Sequence, residues 1–170
     1  IDIARFPLNG KRLIEASAGT GKTYTIAGLY LRLLLETPLD VTQILVVTFT
    51  EAATQELRGR IRKSIYQALQ HLQGKSSDDT LLTSMLAPYL SDLSIQQKLQ
   101  DALTRMDEAA VYTIHGFCQR MLTESAFESG ALFESSFVTD VSALYEQVMQ
   151  DFWRTEVIAA SPEHAQWVLD

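Results

Sequence analysis

Hydrophobic side chains recur at helical spacing in two long segments of the chain. Within residues 23–36 and 51–72, apolar positions lie three and four residues apart, which places them on one face of an α-helix. Pro38 follows the first segment and Gly74 follows the second, and both residue types commonly occur just beyond helix ends. The pattern therefore predicts helices over Thr23–Glu36 and Glu51–Leu72.

Three short runs have the character of strands instead. Gln43–Phe49 is a Val/Ile-type apolar run without alternation, as expected of a strand that is buried on both faces in a parallel sheet. Ala109–Thr113 is a shorter β-type run, and Arg12–Glu15 leads into the small residues that precede the first helix. We therefore predict three strands, with strand, loop and helix in succession near the start of the chain.

The segment between the second and third predicted strands contains two further helices. Residues 78–106 have helical periodicity that is interrupted at Pro88–Ser91. Either Ser91 or Asp92 is suited to cap the helix that follows the interruption, because short polar side chains accept hydrogen bonds from the first free amides. Another helix is expected over residues 115–127.

The chain changes character after Gly130. Residues 141–160 and 162–169 have helical patterns with no strand between them. We therefore expect an α/β domain over residues 1–129 and the start of a separate, all-helical subdomain over residues 130–170.

Length and hydropathy limit the class of protein. A chain of 170 residues is long enough to bury a substantial core. Its apolar runs, such as Ile44–Val47, are far shorter than the roughly 20 residues of a membrane helix, so no membrane span is predicted. The first residues form no secretory signal and include no initiator Met, so we expect a cytoplasmic protein and a sequence that is a piece of a longer chain.

The charge distribution leaves two interpretations open. The formal net charge of −7 weighs against a protein that coats nucleic acid by bulk electrostatics. Positive charge is nevertheless concentrated in one stretch, and both a local DNA contact and a solvated helix face explain such a run. This basic stretch consists of Arg58, Arg60, Arg62 and Lys63.

The single cysteine, Cys118, can form neither an internal disulfide nor a thiolate cluster. Its apolar neighbours, Phe117 and Met121, favour a buried thiol.

A glycine-containing loop stands between the first predicted strand and the first predicted helix. It reads Ala16-Ser17-Ala18-Gly19-Thr20-Gly21-Lys22-Thr23 and departs from the strict phosphate-loop pattern only in its first residue, where that pattern has Gly. The two glycines allow successive amide N–H groups to point at phosphate oxygens, and the helix adds the positive end of its dipole. We assign all eight residues to binding ATP. A tight turn with a capping threonine is the plain alternative.

Two residues of this loop are the candidates for catalytic chemistry. The ammonium group of Lys22 would neutralise the β- and γ-phosphates, and the hydroxyl of Thr23 would be a ligand of Mg²⁺, the ion that bridges those phosphates.

Two stretches downstream resemble motifs Ia and Ib of superfamily I helicases of the UvrD and RecB type. Leu45–Ala53, continuing to Glu56–Ile61, resembles motif Ia, and Thr113–Arg120 resembles motif Ib. Together with the phosphate loop, these stretches give three motifs in the order that the family has. Three motifs in order indicate a family more specifically than a single motif does. The resemblance implies a P-loop NTPase (RecA-like) fold, with a parallel sheet flanked by helices that is incomplete in this chain.

A narrower resemblance is to the RecB-type beta subunits of bacterial exodeoxyribonuclease V. It covers most of the first 134 residues. It rests on the exact amino-acid sequence of three segments, residues 13–23, 106–111 and 127–130.

The helicase resemblance also implies a DNA path along the carboxyl edge of the sheet, where parallel folds place their ligands. Phe49 is the candidate ring for stacking on bases. A core phenylalanine that caps the sheet is the alternative. Candidate contacts to the DNA backbone or bases are Thr48, Thr50, Thr113 and His115.

The RecB-type resemblance further implies partners and a reaction. The expected partners are single-stranded and double-stranded DNA and the RecC-type and RecD-type subunits of a heterotrimer. The expected activity is ATP-dependent 3′ to 5′ unwinding and exonucleolytic degradation in double-strand break repair and homologous recombination. The acidic motif, the second motor domain and the nuclease domain of that family are not in this sequence, so we expect an amino-terminal fragment that binds nucleotide weakly, hydrolyses ATP inefficiently and does not unwind DNA.

Three details qualify this expectation. The pair Asp107 and Glu108 is not interpreted as the acidic motif, because no apolar strand precedes it. Asn9 is the nearest amide before the loop, where the superfamily often has an adenine-reading glutamine. We assign His115 no acid–base role, because no nucleophile lies near it in the sequence.

Two other functions are compatible with parts of the sequence. The first is a small-molecule kinase on the same P-loop fold, although residues 74–106 offer few cations for a lid. The second is a non-catalytic module in which the helical tail from Gly130 onward docks partner subunits.

Overall fold

The structure is a computed structural model that describes residues 2–15, 17, 19, 21–125 and 140–158. The chain folds into two compact units, one over residues 1–120 and another over residues 121–170. The domain boundary expected after residue 129 falls outside the described residues and stays a prediction.

The first unit alternates helices with two short strands, so the α/β class is confirmed. The strands are β1 (Val46–Thr48) and β2 (Val111–Thr113). The helices, with those that continue into the second unit, are α1 (Lys22–Glu36), α2 (Glu51–Leu72), α3 (Thr80–Leu86), α4 (Leu93–Thr104), α5 (Ile114–Glu124) and α6 (Ser142–Phe152). Single 3₁₀ turns occupy Ile3–Arg5, Ala87–Tyr89 and Met106–Glu108, and a π-helical turn at Trp153–Val157 follows α6.

The two strands form a small parallel sheet. Their register pairs Val46 with Val111 and Thr48 with Thr113. The first predicted strand along the chain, Arg12–Glu15, is not a strand in the structure. A strand requires a neighbour to complete its ladder of backbone hydrogen bonds, and within the described residues β1 and β2 pair only with each other. Leu13 is 83% exposed, so its side chain adds no packing that would substitute for pairing.

Helix α2 is the centre of the core. Its buried residues follow helical spacing, and the helix packs against both α1 and α4. The fully buried Ile61 and Ile65 each contribute roughly 1.5–3 kcal/mol by leaving water. The predicted helix Glu51–Leu72 is confirmed residue for residue, because a long periodic face with a clear stop is the strongest local signal in a sequence.

Polar side chains fix where helices begin. Asp92 accepts hydrogen bonds from the amides of Ser94 and Ile95 and caps α4, which confirms one of the two predicted caps. Asp79 caps α3 by accepting from the amide of Leu82 at 3.0 Å.

Arg32 ties the beginning of the chain to α1. This arginine is buried, and its Nη1 donates to the carbonyl oxygens of Ile3 at 2.8 Å and Phe6 at 2.5 Å. Its Nε and Nη2 bind the carboxylate of Glu36. Ile3 itself is buried and lies close to Gly28, where an added Cβ would come within 3.0 Å of it. The segment that leads towards the glycine loop is therefore held by both packing and charge.

Two cations hold the connection between α1 and β1. The Lys98 ammonium donates to the carbonyl oxygen of Thr37 at 2.5 Å. Arg105 bridges Asp40, at 3.1 Å, and Glu108, at 2.8 Å. Hydrogen bonds from the Thr42 hydroxyl, and then from Thr42 N and Arg105, hold the pKa of Asp40 below its usual value.

The described part of the second unit consists of the end of α5, α6 and the π-helical turn. The predicted helix over residues 141–160 is confirmed over Ser142–Phe152, and residues 162–169 lie outside the described residues. No helix in the described chain is long and apolar enough to cross a bilayer.

Candidate functional site

The glycine loop leads directly into α1. Five of its eight residues are described: Ser17, Gly19, Gly21, Lys22 and Thr23. Ala16, Ala18 and Thr20 lie outside the described residues. Gly19 has φ 78° and Gly21 has φ 86°, a left-handed backbone that residues with a Cβ rarely adopt. The glycines therefore occur where the chain must turn sharply to start the helix.

The amino terminus of α1 is suited to an anion. Gly21 is the cap residue and offers no side chain to the first amides of the helix, and an uncapped helix start presents N–H groups and the positive end of the dipole. Lys22 is the first helical residue, and its Nζ donates to the carbonyl oxygen of Ser17 at 2.8 Å. The lysine charge therefore lies back across the loop. Thr23 is half-buried one residue further on.

Tyr24 links this end of α1 to α3. Its hydroxyl donates to Oδ2 of Asp79 at 3.1 Å. Burial, and then the hydrogen bond and charge of Asp79, raise the pKa of Tyr24. Sequence reasoning missed this contact, because the two residues are 55 positions apart and neither belongs to a recognisable motif.

A second group of candidate residues lies at the carboxyl end of the sheet. Thr48 and Thr113 are register partners in parallel strands, so the two predicted DNA-contacting segments that follow them start side by side, as expected. Phe49 is 86% exposed, and the alternative of a core phenylalanine is therefore wrong. His115 is also exposed, in the first turn of α5.

The threonines of this edge have structural contacts of their own. The Thr50 hydroxyl caps α2 by accepting from the amide of Ala53 at 3.1 Å. The Thr48 hydroxyl lies 2.5 Å from that of Thr54, and the buried Thr113 accepts from the amide of Gly116 at 3.1 Å. These three hydroxyls therefore orient the helices that leave the sheet, and their assignment to DNA contact stays a prediction.

The basic stretch in α2 does not act as a single patch. Arg58 turns towards the sheet, where its Nη2 donates to the carbonyl oxygen of Val111 at 2.9 Å. Arg60 forms an ion pair with Glu56 at 2.9 Å. Arg62 and Lys63 line a groove between α2 and α4, and Lys63 also lies beside Arg60 at a second pocket bordered by α1 and α3. Because positions three or four apart lie on the same side of a helix, the run divides between two sides of α2, Arg58 with Arg62 and Arg60 with Lys63.

Three residues that the sequence analysis set aside or gave a structural role lie near the second strand. Asp107 and Glu108 belong to a 3₁₀ turn preceded by α4, not by a strand. Cys118 is exposed on α5, so the prediction of a buried thiol is wrong: no residue of α5 is buried, and Met121, on the same face of the helix, is itself exposed. The described residues hold no group of three or more His, Cys, Asp or Glu side chains placed to bind a metal. The eight-residue loop stays the predicted metal site.

Comparisons with known proteins point to one family. The sequence model described as the UvrD/REP helicase N-terminal domain matches residues 2–166. The chain is 51% identical, over its whole length, to the RecBCD enzyme subunit RecB of Escherichia coli (strain K12), and it covers 15% of that protein. It is 46% identical to the RecB subunit of Haemophilus influenzae, over 95% of this chain and 14% of that protein, and 45% identical to that of Chlamydia trachomatis, over 69% and 12%.

The chain thus spans roughly one seventh of the length of these relatives. The family model extends over both units of the structure and includes the glycine loop and both strand ends. The chain belongs to the UvrD/REP helicase N-terminal domain family.

Proposed function

We propose that this chain is the ATP-binding, amino-terminal part of an ATP-dependent 3′ to 5′ DNA helicase and exonuclease subunit of the RecBCD type, which acts in double-strand break repair and homologous recombination. The observation that carries the proposal is the start of α1 at Lys22, directly after a left-handed, uncapped Gly21. This is the geometry that a phosphate-binding loop requires. The P-loop NTPase fold of RecA-like type belongs to the same proposal.

The residues of the glycine loop would have different roles in binding the nucleotide. The amides of Ala16–Thr23 would surround the phosphates, and the Lys22 ammonium would exchange the Ser17 carbonyl, now 2.8 Å away, for phosphate oxygens. The Thr23 hydroxyl would be a ligand of Mg²⁺, which, when bound, neutralises charge on the β- and γ-phosphates. A hydroxyl at a helix start fits an oxygen-seeking ion that keeps most of its waters.

The carboxyl edge of the sheet is the proposed site for single-stranded DNA. Phe49 has the exposure that a stacking ring needs, and His115 is an exposed polar neighbour on the adjacent segment. Thr48, Thr50 and Thr113 hold this edge through the contacts of their hydroxyls and would present backbone groups to DNA. By the same proposal the parent protein is cytoplasmic, binds single- and double-stranded DNA and assembles with RecC-type and RecD-type subunits, while residues 130–170 begin its helical subdomain.

The kinase alternative is disfavoured by the contacts of two of the three cations that residues 74–106 offer for a lid. Lys98 is bound to the Thr37 carbonyl oxygen, and Arg105 is paired with Asp40 and Glu108. Both cations therefore hold the connection between α1 and β1, where they are not free to close over a phosphate acceptor.

The proposed function is tested by nucleotide binding. A fluorescent ATP analogue in the presence of Mg²⁺ should bind the purified chain, and Lys22→Ala should weaken binding about 10- to 100-fold, because one charge-assisted hydrogen bond contributes about 1.5–3 kcal/mol. Lys75→Ala is the matched control, since Lys75 is an exposed lysine outside the loop. A wild-type chain that binds no analogue, or a Lys22→Ala variant that binds as well as wild type, contradicts the proposal.

Two further measurements address ATP hydrolysis and the docking of partner subunits. We expect the chain to show no efficient DNA-stimulated ATP hydrolysis, because an arginine from a second motor domain typically contributes several orders of magnitude in rate. Binding of RecC-type or RecD-type subunits that survives Lys22→Ala while nucleotide binding is lost separates the docking of subunits from the motor function.

A further inference from the structure

A groove runs between α2 and α4, away from the loop and the strand ends. We call it the α2–α4 groove, and its volume is about 610 Å³. Its polar lining comes mainly from one face of α2, with one residue from α4: Arg62, Lys63, Tyr66, Gln70, Gln73 and Gln100. The floor is apolar and includes Leu69 and Leu103. Polar groups above an apolar floor, in a groove of this size, are typical of a ligand site.

The charge of this groove is opposite to that of the protein. The chain carries a formal net charge of −7, yet none of the described residues that line the groove is acidic. Lys63 has no hydrogen-bond or ion-pair partner among the described residues, and Arg62 makes one long contact, from Nη2 to the carbonyl oxygen of Leu103 at 3.5 Å. Two cations therefore stand in a local positive site that an anionic ligand would fit.

Tyr66 adds a surface for stacking. It is 52% exposed and lies one turn of α2 beyond Arg62 and Lys63. An exposed aromatic ring beside cations is the combination with which proteins hold single-stranded nucleic acid, because the ring stacks on a base while the cations neutralise phosphates. An acidic peptide would use the cations and would not require the ring.

Carboxamides complete the lining. Gln70 and Gln73 are joined only by a long contact of 3.5 Å, and Gln100 faces them from α4. Side-chain amides offer both donors and acceptors and pair readily with base edges. The groove thus offers a stacking surface, charge and hydrogen bonds together.

We propose that the α2–α4 groove binds single-stranded DNA as a second contact, separate from the carboxyl edge of the sheet. Tyr66 lies 16 residues beyond Thr50 in α2, which corresponds to about 24 Å along the helix axis. A strand held at both places would be gripped at two points on the same rigid helix. The inference rests on the proposed function for its ligand class, but it uses neither the phosphate loop nor Phe49.

The test measures the affinity of the purified chain for a fluorescein-labelled oligodeoxythymidylate by anisotropy, over a range of salt concentrations. We expect Tyr66→Ala to weaken binding about 10-fold or more, in line with the loss of one stacked base, and Tyr66→Phe to bind like wild type. Lys63→Ala should weaken binding and make its logarithmic salt dependence shallower by about one phosphate contact. Tyr145→Ala and Lys75→Ala are the controls, because both alter exposed side chains outside the groove.

A crosslinking experiment on the wild-type chain removes any dependence on the folding of variants. An oligonucleotide that contains 5-bromodeoxyuridine should crosslink to the α2 peptide that includes Tyr66, and unlabelled oligonucleotide should compete for this site.

Three results would overturn the proposal. The first is unchanged affinity in Tyr66→Ala and Lys63→Ala while Phe49→Ala weakens binding, which leaves the proposed function intact. The second is a wild-type chain that binds the ATP analogue in a Lys22-dependent manner but binds no oligonucleotide. The third is binding of polyglutamate that depends on Lys63 but not on Tyr66, without any oligonucleotide binding, which would assign the groove to an acidic protein partner.

Discussion

Thr48 and Thr113 are register partners at the carboxyl ends of two parallel strands, and each hydroxyl contacts the first turn of the helix that follows its strand. Thr48 reaches Thr54 in α2, and Thr113 reaches the amide of Gly116 in α5. Two helix starts are therefore fixed beside each other at one edge of the sheet. Phe49 leaves the end of β1 at this edge with its ring in solvent.

The exposure of Phe49 leads to a prediction that separates binding from stability. Phe49→Ala should change the free energy of unfolding by no more than about 0.5 kcal/mol, because an exposed side chain contributes little packing. The same variant should weaken binding of single-stranded DNA by about 5- to 100-fold if one base stacks on the ring. Urea denaturation and oligonucleotide anisotropy measure the two effects, and Phe49→Tyr should preserve both. Large destabilisation with unchanged DNA binding would show that the ring serves the fold.

Helix capping at the same edge leads to a second prediction. Thr50→Ala removes the hydroxyl that accepts from the Ala53 amide, which should lower the free energy of unfolding by about 1 kcal/mol. Thr50→Ser should retain most of the stability, because the serine hydroxyl makes the same cap. The midpoint of urea unfolding distinguishes the two variants, and equal loss in both would exclude capping as the cause.

Arg32 is expected to matter far more than an arginine on the surface. Arg32→Ala leaves the carbonyl oxygens of Ile3 and Phe6 without their charged donor, and we expect a loss of about 3 kcal/mol in the free energy of unfolding. Arg5→Ala is the matched control: its side chain is 89% exposed and lies 3.9 Å from Asp2, so the change should be within about 0.5 kcal/mol. Similar midpoints for the two variants in urea denaturation would contradict this account.

Two glycines should respond to alanine with opposite signs. Gly21 has φ 86°, so Gly21→Ala should destabilise the start of α1 by about 1–2 kcal/mol and weaken binding of the ATP analogue. Gly59 lies within α2, where an added Cβ meets nothing within 4 Å, so Gly59→Ala should stabilise the chain by about 0.5–1 kcal/mol. Thermal unfolding monitored by circular dichroism measures both changes, and a Gly59→Ala variant that is less stable than wild type would contradict the helical argument.

The sequence correctly predicted those elements that depend on residues close together along the chain. The periodic face of Glu51–Leu72 and the cap at Asp92 depend on residues a few positions apart, and both are found in the structure. Arg12–Glu15 failed as a strand because pairing depends on a distant neighbour that the run itself does not specify.

The site was predicted from motifs, and its surroundings were not. The glycines and Lys22 could be placed because their spacing has a mechanical meaning. The exposure of Phe49, by contrast, depends on what covers the end of the sheet. The roles of Arg32 and Tyr24 depend on partners 26 to 55 residues away, which no local pattern reveals.

Alkaline pH should destabilise the chain through Tyr30. This residue is 2% exposed, its hydroxyl donates to the carbonyl oxygen of Val41 at 3.3 Å, and burial, with the charge of Asp40, raises its pKa to about 12. In the unfolded chain it titrates near 10, so between about pH 10 and 12 the unfolded state loses a proton that the folded state keeps, and stability falls as pH rises. Its contribution is fully present below about pH 10. The free energy of unfolding, measured in urea at a series of pH values, should therefore decline less steeply over this range for Tyr30→Phe than for wild type, and parallel declines would show that other groups cause the alkaline loss.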